Sequence, residues 1–199
     1  MCPASRVTVR CYAELNDFLP KARRQVAFDV ACADRSSVKD LLEGLGVPHT
    51  EVDLLLVNGE PVGFERRLAA GDRVAAYPVF EAFDVAGLSL VRPEPLRDVR
   101  FVLDGHLGRL SALLRLAGFD CLYPRCAADA DLAATSARER RILLTRDQAL
   151  LKRREVTHGY SVRSTDPVEQ FAEIVDRFQL RRLLRPFTRC MRCNGMLRH

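Results

Sequence analysis

Arg100–Asp120 reads RFVLDGHLGRLSALLRLAGFD, and Arg140–Arg153 reads RRILLTRDQALLKR. In each, a short apolar run ends at an aspartate and passes at once into residues with helical spacing. After RFVLD, Leu107, Leu110, Leu114 and Ala117 fall on one helical face, and Gly118 suits the position just past a helix end. After RILLTRD, QALLKRR starts another helix. Between the two stretches, DCLYP (120–124) reads as a strand and DLAATSARER (131–140) as a helix. Beyond them, YSVRS (160–164) is a strand, and DPVEQFAEIVDRFQL (166–180) is a helix with Pro167 at its first position. Strands alternating with helices imply a parallel sheet and an α/β sandwich.

The first half has another pattern. RVTVRCYAEL (6–15) alternates, with Val7, Val9 and Cys11 on one face, and QVAFDVA (25–31) repeats the alternation. In SSVKDLLEGLG (36–46), Ser37 and Asp40 stand near capping-box spacing. Val38, Leu41, Leu42 and Leu45 form an apolar stripe there, and Gly44 or Gly46 can close the helix. DLLLVNGEPV (53–62) is a hairpin turning on Asn58-Gly59, a pair suited to positive φ. AAGDRVAAYPVF (69–80) is a final strand. A helix laid over a small mixed sheet in this order is β-grasp, that is, ubiquitin-like. The expected organisation is a β-grasp domain over residues 1–82 and a linker over 83–98, which carries Pro93 and Pro95. An α/β domain over 99–187 and a terminal segment over 188–199 complete it.

Apolar residues make up 48% of the chain and charged residues 29%, the balance of a globular protein. No apolar run approaches the roughly 20 residues that span a bilayer. MCPASRVTVRCYAEL lacks the basic and apolar regions of a secretory leader, so a cytoplasmic location with no membrane partner is expected. Seven scattered cysteines, an odd number, fit reduced thiols better than a disulfide framework. Charge is uneven. Residues 1–97 hold 12 Lys and Arg against 14 Asp and Glu; residues 98–199 hold 19 against 12. The basic second half is where an anionic partner such as nucleic acid is expected, although a solvated arginine-rich surface has the same composition.

Ligands of open α/β sheets bind outside the carboxyl ends of the strands. RFVLD delivers Asp104 to that edge and ILLTRD delivers Asp147; CAADADLAA (126–134) adds Asp129 and Asp131 at a helix start. Converging carboxylates repel unless a cation neutralises them, and such oxygen-rich clusters suit Mg²⁺ or Mn²⁺. Those ions can activate water for phosphodiester hydrolysis. Each of these aspartates also stands where a helix N-cap is expected, so capping and metal binding compete. For Asp166, followed by Pro167 and Glu169, the cap is preferred. Arg109 and Arg146 flank the acids and are candidate phosphate contacts.

RFVLDGHLGRLSALLRLAGFD, RRILLTRDQALLKR and PFTRCMRCNGMLR (186–198), in that order, resemble the Mut-seven C-terminal RNase domain family, a branch of the PIN-like nucleases. VNGEPVGFERRLAAGDRVAAYPVFE (57–81) resembles the ubiquitin-like module that precedes that domain in many bacterial members. The resemblance implies a PIN-like α/β/α domain and metal-dependent cleavage of RNA. Asp104 would be the first metal-binding acid, Asp147 the last, and Asp129 or Asp131 the one between. A non-catalytic RNA-binding or regulatory protein and a small-molecule phosphoesterase are the alternative readings. The first half also resembles the sulfur-carrier branch of ubiquitin-like folds. Those carriers end in Gly-Gly, whereas here AAYPVF runs into EAFDVAGLSLVRPEPL. Carrier chemistry is therefore not expected, and the module reads as a docking or stabilising unit with a protein partner.

In the same family, Cys-x-x-Cys followed by Asn opens a zinc ribbon that a second Cys-x-x-Cys completes. Cys190, Cys193 and Asn194 supply the opening half only, with His199 the nearest additional donor. Structural zinc requires four ligands, so Zn²⁺ here is expected to be incomplete and weak. The plain expectation for the segment is a frayed tail with two free thiols.

Overall fold

The structure, a computed structural model, describes residues 5–33, 35–78, 89–91 and 98–197. The chain divides into two compact units, Met1–Glu94 and Pro95–His199.

The first unit contains β1 (Ser5–Cys11), β2 (Phe28–Cys32), α1 (Val38–Gly44), β3 (Leu54–Val57), β4 (Glu60–Pro61) and β5 (Arg73–Tyr77). The strands form one sheet in the order β2-β1-β5-β3-β4. β1 and β5 run parallel and the other pairs antiparallel, which makes the mixed sheet of a β-grasp. Val7, Val9 and Cys11 are all buried, as their alternation requires. Burial pushes the Cys11 thiol up to about 11. α1 opens on a closed capping box: Asp40 N–H donates to Ser37 Oγ at 3.1 Å, and Ser37 N–H donates to the Asp40 carboxylate at 3.2 Å. Asn58 (φ 54°) and Gly59 (φ 88°) make the left-handed hairpin turn between β3 and β4.

Two features depart from the sequence pattern. The alternation of RVTVRCYAEL does not persist. The chain turns at Ala13 (φ 44°) into a 3-10 turn over Ala13–Phe18, where the Asn16 amide donates to the carbonyls of Cys11 and Ala13. Of the stretch read as linker, residues 83–88 and 92–97 lie outside the described residues. Val91, within it, is buried in the core of the first unit, and Ser89 Oγ donates to the Asp53 carbonyl.

The second unit contains β6 (Arg100–Leu103), α2 (Gly108–Leu116), β7 (Asp120–Leu122), α3 (Asp129–Glu139), β8 (Ile142–Thr145), α4 (Gln148–Leu151), β9 (Gly159–Ser161) and α5 (Pro167–Arg177). Its sheet has the order β7-β6-β8-β9 and is parallel throughout. Both faces are covered, and the apolar runs divide between them by period two. Phe101, Leu103, Ile142 and Leu144 pack with Leu107, Leu110 and Leu114 around α2 and with Ile174 and Val175 of α5. Val102 and Leu143 point the other way, onto Leu132 and Ala133 of α3 and Leu150 and Leu151 of α4. Truncating a fully buried leucine such as Leu143 or Leu144 to Ala would cost about 2–5 kcal/mol. Gly118, at φ 101°, closes α2. Among the described residues no helix is long and apolar enough to cross a membrane.

The chain leaves β6 for β7 on one side and β8 for β9 on the other. Connections that diverge in this way open a crevice at the carboxyl ends of the two central strands, β6 and β8.

Candidate active site

Asp104 and Asp147 follow β6 and β8 at that crevice. Asp104 N–H makes the last rung to Leu144 O at 3.1 Å, which sets its side chain just past the sheet edge, half-buried. Thr145, fully buried, links the two acids. Its hydroxyl donates to Asp104 Oδ2 at 2.8 Å and accepts from Asp147 N–H at 2.9 Å. Two hydrogen bonds end to end, each near 3 Å, hold the Asp104 carboxylate within about 6 Å of the Asp147 backbone.

The competition between capping and site chemistry resolves differently at each position. Asp104 occupies the N-cap position of the 3-10 turn Gly105–Leu107 but makes no side-chain cap bond there; its carboxylate goes to Thr145 instead. Asp147 does cap: its Oδ1 accepts from Ala149 N–H at 2.7 Å at the start of α4. Asp129 and Asp131 stand in the first turn of α3, but its N-cap is Ala128. Both are exposed, and neither carboxylate has a hydrogen-bond partner among the described residues. Asp166 caps α5 through Val168 and Glu169 N–H. The Glu169 carboxylate accepts from Ser164 Oγ rather than closing a box on Asp166.

Asp104 and Asp147 thus each commit one oxygen to the fold. Each keeps a second oxygen with no partner among the described residues. Two free carboxylate oxygens fit a Mg²⁺- or Mn²⁺-type ion, which is commonly held by one or two carboxylates, water and substrate phosphate. They are not a ready-made cage: among the described residues no group of three or more His, Cys, Asp or Glu side chains is placed to hold a metal. Asp129 and Asp131 are not gathered with the other two into such a group. Arg109, in the first turn of α2, and Arg146, between Thr145 and Asp147, are exposed and have no hydrogen-bond or ion-pair partner among the described residues.

The terminal segment is not frayed, which corrects the expectation from sequence. Thr188 to Leu197 folds back on itself, with Cys190 N–H bonded to Gly195 O at 2.8 Å and Leu197 N–H to Thr188 O at 2.9 Å. It docks on β7. Asn194 Oδ1 accepts from Cys121 N–H at 3.0 Å, and its Nδ2 donates to Asp120 Oδ1 at 2.9 Å. The buried Arg115 donates to the carbonyl of Cys121 and, through Nη1, to those of Met191 and Arg192. Asp120 also receives Arg141 Nη1 at 2.7 Å and lies 3.7 Å from Arg189. Burial pushes the Asp120 carboxyl up. The hydrogen bonds from Arg141 and Asn194 and the charges of Arg141 and Arg189 outweigh this and hold it below the usual range.

In the turn of that hairpin, the N–H groups of Cys193 and Arg192 point at the Cys190 sulfur and, with the Cys193 side chain, draw its thiol below the ordinary value. Two thiols remain two of the four ligands a structural zinc needs. The expected extra donor, His199, lies outside the described residues.

Residues 99–199 match the family model described as Mut7-C RNAse domain, and residues 4–84 match that described as Mut7-C ubiquitin. Among solved structures, the chain is similar to small archaeal modifier protein 1 of Haloferax volcanii, with 22% identity over 38% of this chain and 99% of that one, at a TM-score of 0.32. A second structure of that protein gives 20%, 40%, 100% and 0.32. A Pyrococcus furiosus protein named as molybdopterin converting factor, subunit 1, gives 20%, 39%, 100% and 0.32. No curated protein matches the chain.

Proposed function

Because the chain belongs to the Mut7-C RNAse domain family, we propose that its second unit is a ribonuclease that hydrolyses RNA phosphodiester bonds at the carboxyl edge of β6 and β8. The observation that carries this reading is the Thr145 bridge. A buried hydroxyl fixes the Asp104 carboxylate near the Asp147 backbone, and each acid keeps one oxygen with no partner among the described residues.

Asp104 and Asp147 are the proposed holders of Mg²⁺ or Mn²⁺, with Asp129 or Asp131 free to join from the first turn of α3. A bound ion would supply an activated water and offset charge on the leaving oxygen. The chain's own residues do the positioning. Thr145 locks the Asp104 rotamer, and the cap on α4 locks that of Asp147. Arg109 and Arg146 offer guanidiniums to the phosphate oxygens on either side of the acids.

One observation favours a second reading, RNA binding without cleavage: three ligating side chains are not gathered in one group among the described residues. A cleavage assay on single-stranded RNA with Mn²⁺ separates the two. Loss of cleavage in both Asp104→Asn and Asp147→Asn, with the folding transition retained, supports the ribonuclease. Undiminished cleavage by both variants rejects the site. RNA binding by a wild-type chain that never cleaves supports the second reading. Parallel assays on DNA and on a nucleotide test whether the substrate is RNA.

A further inference from the structure

Three arginines from three separate segments line one open groove of about 490 Å³ on the second unit. Arg109 comes from the first turn of α2, Arg125 from the loop after β7, and Arg192 from the Cys-x-x-Cys turn of the terminal hairpin. Tyr123 and Gly108 make its wall, and among the described residues no carboxylate lines it. The three guanidiniums are exposed and have no hydrogen-bond or ion-pair partner among the described residues. Other arginines of the same unit are tied down: Arg141 by Asp120 and Glu139, Arg181 by Asp176. Arg115, which also lines the groove, is buried, and the acceptors of its guanidinium among the described residues are backbone carbonyls, so it adds a positive charge there with no carboxylate bonded to it.

The groove starts beside the proposed catalytic edge. Tyr123 Oη donates to the carbonyl of Gly105 at 2.6 Å, and Gly105 follows Asp104 directly. Two glycines permit this closeness. A Cβ on Gly108 would meet Tyr123 Oη at 2.7 Å, and one on Gly105 would meet the Arg125 carbonyl at 3.0 Å. The wall and the Arg125 loop are therefore held against the residues that carry Asp104.

We infer that this groove binds the sugar-phosphate backbone of the RNA strand next to the scissile phosphate, with Arg125 and Arg192 as phosphate-positioning residues. The inference rests on the ribonuclease reading of the adjoining edge. Arginines gathered along one groove, with no acid among its described lining, match a polyanion with regularly spaced charges, and Arg can grip each phosphate in bidentate fashion. It also gives the terminal hairpin a role that needs no metal, because Arg115 bonds the Arg192 carbonyl and Asn194 ties the hairpin to β7.

The test is binding of a labelled single-stranded oligoribonucleotide to the full chain carrying Asp104→Asn, in EDTA, by fluorescence anisotropy across a range of KCl. Arg125→Ala and Arg192→Ala should each weaken binding about 3–10-fold and lower the salt slope by about 0.7 per lost contact. Arg125→Lys, which keeps the charge but not the bidentate fork, should recover only part of the loss. Arg154→Ala, in the loop between α4 and β9, serves as the control for general charge. Unchanged binding in the two groove variants, or an equal loss with Arg154→Ala, overturns the groove. Cleavage is read separately on the chain with Asp104 intact. Cleavage with groove-independent binding removes the groove and keeps the ribonuclease; groove-dependent binding without cleavage does the reverse.

Discussion

The Thr145 hydroxyl, buried in the last position of β8, donates to Asp104 Oδ2 at the end of the neighbouring strand, 2.8 Å away. It accepts from Asp147 N–H in the same geometry. One side chain with no chemistry of its own therefore sets the relation between the two acids most central to the proposed site.

Thr145→Val keeps the volume and removes the hydroxyl. Asp104 loses its orienting donor, and the Asp147 N–H loses its acceptor. Cleavage should fall by about 10–100-fold, as for partners that orient ligating carboxylates. Stability should fall by about 1–3 kcal/mol in urea denaturation. Thr145→Ser should restore most of the rate. A rate unchanged in the Val variant would mean that the bridge does not serve the chemistry.

Asp120 gives the second unit an acid-sensitive joint. Its carboxyl is depressed in the folded state, so its stabilisation is fully present above the ordinary value of about 3.9 and is lost as pH falls through the lower folded value. Below pH of about 4, the Cys121 amide, which bonds to Asn194, should lose hydrogen-exchange protection before the amides of β6 and β8 do. Asp120→Asn should cost about 1.5–3 kcal/mol and flatten this acid limb of the stability curve. Uniform loss of protection across the sheet would contradict a separate joint.

Gly118 sits at φ 101°, and a Cβ there would lie 2.4 Å from the Arg185 carbonyl. The chain beyond α5 returns here, with Arg185 and Phe187 N–H bonded to the carbonyls of Ala117 and Leu116. Gly118→Ala should lower the unfolding free energy by more than about 1 kcal/mol through strain at positive φ and the backbone clash. Chemical denaturation measures it, and a neutral result would mean that this return is not close-packed.

The cysteines should separate by reactivity. Cys190 is lowered by the N–H groups around it, while burial raises Cys121 and carries Cys11 to about 11. At neutral pH, alkylation followed by mass spectrometry should modify Cys190 well before Cys11 or Cys121. Equal rates at all three sites would show that the turn does not favour the thiolate.

The parallel sheet was legible because Phe101, Val102 and Leu103, like Ile142, Leu143 and Leu144, are apolar without interruption, and each run stops at a polar residue beside the edge. Asp104 and Asp147 were visible for the same reason. Thr145 was not, because a threonine within an apolar run has the same local pattern whether its hydroxyl is idle or bridges two strands. Arg125 and Arg192 were equally hidden. They lie far apart in the chain and meet only after the terminal hairpin returns to β7. Asn194 is 74 residues from the Asp120 it anchors, a distance no local spacing rule spans. The turn at Ala13 is hidden in the sequence because the alternation of apolar residues continues through a place where the extended backbone does not.

β7 is an edge strand, and such strands invite pairing with another chain through their outward N–H and C=O groups. At its centre both outward groups belong to Cys121, and both are already taken, the N–H by Asn194 and the carbonyl by Arg115. The terminal hairpin thus serves as a guard against strand addition. A chain shortened before Asn194 would uncover the Cys121 N–H, with Arg115 still on the carbonyl, and open that half of the edge to another chain.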